Sequence, residues 1–305
     1  SNEIREPYPN SPPENVFNIA IDSELTTLEL RLSNSGDRLD YVAGLYYFNN
    51  TAEGTTFVVE QGVDVNGANE SENEGYAAFA NVNFHLADKW DLALGMRYDD
   101  SEQTLNSSTT FAGIDAKLDD GKLEFDHVSW SVKLRNYIND DMTAYLAIDH
   151  AYKQGGFNPL VVGVQALSDG FGFPIPPLVA EAADSSATYD KETSDAIELG
   201  LKGTFLEGKL RLGGNIFYQR FEDHQVQQTN QTPAALAGLF GSFFLAATTN
   251  AEKVETYGIE ADATYLLGDH WDISLRAAYA DPTVDEWTSR FCPNGEEESP
   301  DQLYC

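Results

Sequence analysis

Apolar and polar residues alternate with a period of two along ten segments of the chain. In one segment Trp90, Leu92, Leu94, Met96 and Tyr98 fall on one face, and Asp91, Ala93, Gly95, Arg97 and Asp99 fall on the other. Successive side chains of a β-strand point to opposite faces, so this pattern predicts strands with one apolar face each. The predicted strands span residues 24–33, 39–49, 76–86, 90–103, 128–138, 142–153, 194–205, 210–222, 254–267 and 271–283.

The predicted strands are joined alternately by short turns and by long polar stretches. The short turns are residues 34–37, 87–89, 139–141, 207–209 and 268–270. Because consecutive strands joined in this way run antiparallel, all the short turns lie at one end. A soluble β-sandwich usually has strands of about 5 to 6 residues with turns of similar size at both ends. We therefore expect an all-β fold: a section of an antiparallel, up-and-down transmembrane β-barrel with short periplasmic turns and long extracellular loops.

The composition is compatible with a membrane barrel. Only 42% of the residues are apolar, and no run approaches the roughly 18 apolar residues of a membrane-spanning helix. A spanning strand needs about 9 to 11 residues, of which every second one faces lipid. Trp90 and Tyr98 lie at the two ends of one apolar row, and Trp271 and Tyr279 at the ends of another. Aromatic residues occupy such positions at the headgroup levels of a membrane.

The chain is strongly acidic, with 18 Lys and Arg against 50 Asp and Glu and a formal net charge of −32. Such a surface repels phosphate backbones, so nucleic acid is excluded as a partner. Much of the excess lies in the predicted loops, at residues 70–74, 181–184 and 296–298. These carboxylates serve either solubility and tolerance of salt, or the binding of Ca²⁺ or a cationic ligand.

Two cysteines, Cys292 and Cys305, lie in the last acidic stretch, residues 284–305, which we expect to be an extracellular loop. Neither has the Cys or His neighbours of a zinc site. We expect a disulfide within this loop, which indicates an oxidising compartment outside the cytoplasm.

No enzyme, cofactor site or metal site is predicted. The five histidines lack metal-ligand spacing, and no phosphate-binding, dinucleotide or serine-hydrolase fingerprint occurs. Several cations lie in mid-strand on predicted polar faces, namely Arg97, Lys133, Arg135, Arg211 and Arg276. They contact an anionic ligand, or they pair with carboxylates of the wall. Two readings also stand for the predicted loop aromatics, as a cradle for a ligand or as packing between loops: Phe157, Phe171, Phe173, Phe240, Phe243 and Phe244.

The stretch Ala151-Tyr152-Lys153-Gln154-Gly155-Gly156-Phe157-Asn158 resembles a strand-to-loop segment of TonB-dependent outer-membrane receptors, Gly-Tyr-Lys-x-Gly-Gly-Phe-Asn. We take Tyr152, Lys153, Gly155, Gly156, Phe157 and Asn158 as the matching residues. The double glycine is interpreted as a backbone bend at the extracellular end of the strand. Three further stretches, residues 29–47, 189–202 and 250–260, are similar to the same family and stand in its order. The chain departs from it at Asp149-His150-Ala151, where many relatives have Ser-Arg-Gly.

The resemblance implies a barrel of about 22 strands that encloses a globular plug. It also implies a place in the outer membrane of a Gram-negative bacterium, in contact with its lipid, and import driven by the TonB complex. The ligand would be a small molecule or metal chelate such as a ferric siderophore, haem, a vitamin or an oligosaccharide. Ten strands do not close such a barrel, and open edges in lipid leave amides unpaired. We therefore expect residues 1–305 to be a partial barrel domain, with the plug and its TonB contact absent from it.

Proteins of other classes share parts of this pattern. A passive porin has the same rhythm of strands, and a β-rich carbohydrate-binding protein or adhesin also alternates apolar and polar residues. Uptake that survives loss of the proton gradient indicates a porin. A lectin, unlike either barrel, does not partition with membranes.

Overall fold

The computed structural model of the protein describes residues 16–60, 63–111, 114–158, 187–229, 246–268 and 270–286. The described residues form twelve strands: β1 (Val16–Asn34), β2 (Leu39–Glu60), β3 (Val63–Ala87), β4 (Trp90–Phe111), β5 (Ile114–Asn139), β6 (Met142–Lys153), β7 (Gly156–Phe157), β8 (Thr188–Tyr189), β9 (Glu192–Phe205), β10 (Leu210–Thr229), β11 (Ala246–Leu267) and β12 (Trp271–Glu286). In this part of the chain there is no helix long and apolar enough to cross a membrane.

Ten of the strands form one sheet, in the order β1-β2-β3-β4-β5-β6-β9-β10-β11-β12. Every neighbouring pair is antiparallel, and apart from the short pair β7–β8 the order in space is the order in the chain. Strands β7 and β8 pair only with each other, in the connection between β6 and β9. The structure therefore confirms an up-and-down antiparallel wall of ten strands, with β1 and β12 at its edges.

The short turns lie where the sequence predicts them, between β1 and β2, β3 and β4, β5 and β6, β9 and β10, and β11 and β12. In the turn after β9, Leu206, Glu207 and Gly208 have φ values of 54°, 56° and 88°, and Gly268 after β11 has 70°. This left-handed conformation lets a strand reverse within a few residues, and glycine adopts it at little cost.

Two predicted loops are largely strand, which corrects the prediction. Strands β2 and β3 stay paired out to Glu60 and Val63, and β4 and β5 out to Phe111 and Ile114. The residues from about 50 to 73 and from 104 to 125 thus prolong the hairpins. Their sequences are mostly polar, so no regular apolar alternation marks them. The backbone ladder forms regardless of side-chain polarity.

The apolar rows face outward and are not covered by any other described element. Met96 is 57% exposed, Trp271 74% and Leu275 68%, whereas Asp91 and Asp99 on the opposite face of β4 are buried. A large apolar surface of this kind marks contact with a membrane or a partner. The predicted assignment of the two faces is confirmed, and we call the polar face the inner face.

Aromatic rings of the inner face lie over glycines of adjacent strands. A Cβ atom added at any of these glycines would overlap the ring beside it. The pairs are Gly44 with Phe79, Gly75 with Phe48, Gly200 with Tyr145, and Gly258 with Phe217. Each ring covers a backbone that has no side chain of its own, which stabilises the strand pair and keeps the ring flat against the wall.

Candidate functional site

A network of polar side chains ties four strands together near the short-turn end of the inner face. The strand register places His85, Asp91 and Arg135 side by side on β3, β4 and β5. Asp91 Oδ1 lies 2.8 Å from His85 Nδ1, while Asp91 Oδ2 accepts hydrogen bonds from the Tyr137 hydroxyl at 2.8 Å and Arg135 at 3.3 Å. On its other side, His85 Nε2 lies 3.1 Å from a carboxylate oxygen of Asp40 on β2. Arg135 is therefore engaged within the wall.

Arg97 is also engaged with a neighbour. Its Nε lies 2.8 and 2.9 Å from the two carboxylate oxygens of Asp99, and its guanidinium carbon lies 5.5 Å from the centre of the Tyr46 ring. This geometry combines an ion pair with a cation–π contact. Arg97 lines a depression of about 570 Å³ whose walls also include Asp149 and Ser131.

The remaining predicted cations differ in their surroundings. The Lys133 ammonium lies 4.4 Å from the centre of the Tyr145 ring, and the Tyr145 hydroxyl donates a hydrogen bond to Glu198. Arg211 and Arg276 are exposed on the inner face, and within the described ranges neither forms an ion pair. Of the predicted cations, these two are exposed, whereas Arg97, Lys133 and Arg135 are half-buried.

The family motif folds from the end of β6 onto the inner face. Strand β6 ends at Lys153, and Gly156–Phe157 pairs with Thr188–Tyr189. A Cβ atom at Gly155 or Gly156 would collide with Tyr189, and the Phe157 ring lies close to Gly121. Burial in this contact raises the pKa of the Tyr189 phenol. Neither glycine has a positive φ, so backbone freedom does not explain the pair. Both are glycines because two backbones approach closely here and leave no room for a side chain.

Asn158 closes this segment with three hydrogen bonds of 2.8 Å. Its side-chain amide donates to Thr248 O and accepts from Thr248 N, which imitates a strand pair with β11. Its backbone N–H donates to Ala187 O, so the two ends of the connection 159–186 lie side by side. Asn158 is 5% exposed. Three satisfied bonds at a buried position make a strong anchor.

Other carboxamides extend the anchor to neighbouring strands. Gln225 on β10 donates to Gln154 O at 2.8 Å and to Asp190 O at 3.1 Å. Asn250 on β11 accepts from Asp190 N at 2.8 Å and donates to Asp190 O at 3.0 Å. Three of the four motif stretches recognised in the sequence thus meet at one place. The motif signal was in the sequence, whereas the contribution of Gln225 carried no signal there.

The rings of His127 and His150 stack with their centres 5.0 Å apart, and no group of three or more His, Cys, Asp or Glu in the described ranges is arranged to hold a metal ion. His150 pairs with Asp195 of β9 at 2.7 Å. Several predicted features lie outside the described residues: Cys292, Cys305, Phe171, Phe173, Phe240, Phe243 and Phe244.

A family model described as "TonB dependent receptor-like, beta-barrel" matches residues 5–300, and the chain belongs to this family. The family places the chain in the outer membrane of a Gram-negative bacterium. Among curated relatives, the pesticin receptor of Yersinia enterocolitica is 24% identical over 262 residues, which cover 84% of this chain and 34% of the relative. The pesticin receptor of Yersinia pestis matches to the same extent. The chain thus spans about a third of the length of these relatives.

Solved structures share the fold. The ferric yersiniabactin uptake receptor of Yersinia pestis superposes with a TM-score of 0.68 at 20% identity, over 93% of this chain and 39% of that one. The copper transporter OprC gives a TM-score of 0.62 at 16% identity, over 90% and 40%. The ferripyoverdine receptor of Pseudomonas aeruginosa gives 0.55 at 13%, over 90% and 35%.

Proposed function

We propose that the protein works as part of an energy-coupled outer-membrane receptor that imports a scarce, bulky nutrient, in the first instance a ferric siderophore. The observation that carries this proposal is the separation of faces in a wall of the receptor family: exposed apolar rows outward, and a polar inner face with engaged and free cations. The relatives named for ferric yersiniabactin and ferripyoverdine direct the choice toward iron chelates.

The mechanism we propose is binding followed by movement of a plug, without covalent chemistry. In this mechanism the plug and its contact with TonB act together with the wall described above. Arg135 joins β5 to β4 through Asp91, and Arg97 is paired with Asp99 of its own strand. Arg211 and Arg276 are proposed as contacts for an anionic group of the ligand or for the plug.

Uptake by cells that carry or lack the full-length gene tests this proposal. Cells are starved of iron and given ferric yersiniabactin or ferripyoverdine labelled with radioactive iron, with and without a proton uncoupler. We expect gene-dependent uptake that the uncoupler abolishes. Gene-dependent uptake that persists with the uncoupler would identify a passive porin instead. Absence of the protein from the outer-membrane fraction would leave a soluble lectin-like protein.

A further inference from the structure

Four carboxamide side chains, Gln154, Asn158, Gln225 and Asn250, form a unit that we call the amide clasp. Each reaches across to a different part of the chain, over sequence separations of 60 to 90 residues for most of its bonds. Through them the segment after β6 and the segment before β9 are attached to β10 and β11. The clasp therefore lies at the end of the wall opposite to the short turns.

One side chain of the clasp reaches back to β3, which is not a neighbour of β6 in the sheet. Gln154 and Asn73 exchange two hydrogen bonds of 3.3 Å between their side-chain amides. Asn73 is on β3, and two strands, β4 and β5, separate β3 from β6. A side-chain bond can span two intervening strands of a curved wall only across its concave side, so this bond lies on that side. The contacts of Gly156 with Gln103 and of Gly155 with Phe125 place the segment on the same side.

The clasp thus acts as a strut that runs from β3 to β11 across the concave face. Two side chains attach it to β11: Asn250 through Asp190, and Asn158, whose two amide atoms both bond Thr248. We infer that the amide clasp is a positioning element for ligand capture: it fixes the spacing of the extracellular strand ends that carry the loops. The part of this inference that concerns the ligand rests on the proposed function, whereas the part that concerns spacing does not.

A distance measurement between β2 and β12 tests whether the clasp fixes the spacing of the extracellular strand ends. The full-length receptor carries T51C and T283C as its only cysteines, at exposed positions of β2 and β12 outside the clasp, and both are spin-labelled. In the N158A variant we expect the distribution of distances between the labels to become at least about twofold broader, because one of the two attachments of the strut to β11 is lost. The matched control is N136A, which removes an exposed amide that donates to Lys89 O at 3.2 Å near the short turns.

Uptake tests the consequence for ligand capture, with ferric yersiniabactin as the probe. For N158A we expect the half-saturating concentration to rise on the order of tenfold, because the extracellular strand ends are no longer held in place before the ligand binds. The maximal rate stays unchanged, because the transport step is not affected. Folding is checked by the mobility shift of unheated barrel on gels. If N158A fails this check, the Q225A variant, which removes two bonds of the clasp, is used in place of N158A.

An unchanged distance distribution in folded N158A or Q225A would overturn the inference, as would a broadened distribution with unchanged half-saturation. If the unmodified receptor takes up none of the probe, the proposed function fails for that ligand. The distance measurement still decides the role of the clasp in that case.

Discussion

The glycines beneath inner-face rings do not tolerate a larger side chain, because an added Cβ atom would overlap the ring. In the G200A variant the new methyl group meets the Tyr145 ring, whose hydroxyl is held by Glu198. We expect a loss of about 1 to 3 kcal/mol in the free energy of unfolding, because the ring must leave its position. The measurement is urea unfolding in detergent micelles. The control is G67A, where the nearest side-chain atom lies at an ordinary 3.6 Å; equal losses in both variants would contradict the account.

Asp91 is the centre of the polar network at the short-turn end. The D91A variant deprives His85, Arg135 and Tyr137 of their shared acceptor. These partners are partly exposed, so water replaces some of the lost bonds, and we expect a loss of about 1 to 3 kcal/mol. The same unfolding experiment measures it, with E53A at an exposed position of β2 as the control. A loss in D91A no larger than in E53A would show that the network does not stabilise the wall.

At the scale of single residues, the sequence predicts the face to which a side chain points but not the group that it bonds. The alternation on β4 correctly places Arg97 inside and Met96 outside. It does not predict that Asp99 occupies the guanidinium of Arg97, because that depends on side-chain torsions within one face. Nor does it predict Gln225 in the clasp, since its partners lie more than 30 residues away and follow no period.

At the scale of elements, the hairpins extend beyond the membrane in polar sequence. On the outward side of this extension Glu74, Glu102 and Glu124 stand directly opposite one another on β3, β4 and β5. Lys122 is bonded to two of them, with its ammonium 2.9 Å from Glu102 and 2.7 Å from Glu124. Hydrogen bonds to Glu124 and Glu102 raise the pKa of the Lys122 ammonium, and the bond to Lys122 lowers the pKa of the Glu124 carboxyl.

The K122M variant tests this arrangement. Because the pKa of Glu124 is lowered in the folded protein, its contribution to stability is present above its ordinary pKa and is lost as the pH falls through the folded value. We expect the Tm of K122M to be lower than that of the unmodified receptor at neutral pH and low salt. The difference shrinks in high salt and in acid. The control is K117M on the same strand, and a Tm difference independent of salt would contradict the electrostatic cause.

The extensions also show which strand boundaries the sequence does not predict, namely those at the loop end. Within the membrane, lipid on one side and water on the other impose the period of two that marks residues 90–98. Beyond it, the sequence is mostly polar and the period is lost, although the ladder continues to Phe111. The ten strands and their short turns were therefore predictable, whereas the lengths at the loop end were not.

At the scale of the whole molecule, function follows from one asymmetry of the wall. Exposed aliphatic and aromatic rows face lipid, and the inner face gathers the carboxylates, the cations and the clasp. The family match places this wall in a TonB-dependent receptor.

The orientation of β4 in a bilayer tests this asymmetry most directly. Spin labels are placed singly at positions 92 to 98 of the full-length receptor, on a cysteine-free background in lipid bilayers. We predict that oxygen dissolved in lipid reaches labels at even positions, that a water-soluble nickel chelate reaches those at odd positions, and that the two accessibilities alternate out of phase. Accessibility to the nickel chelate at every position, or the opposite phase, would contradict the account.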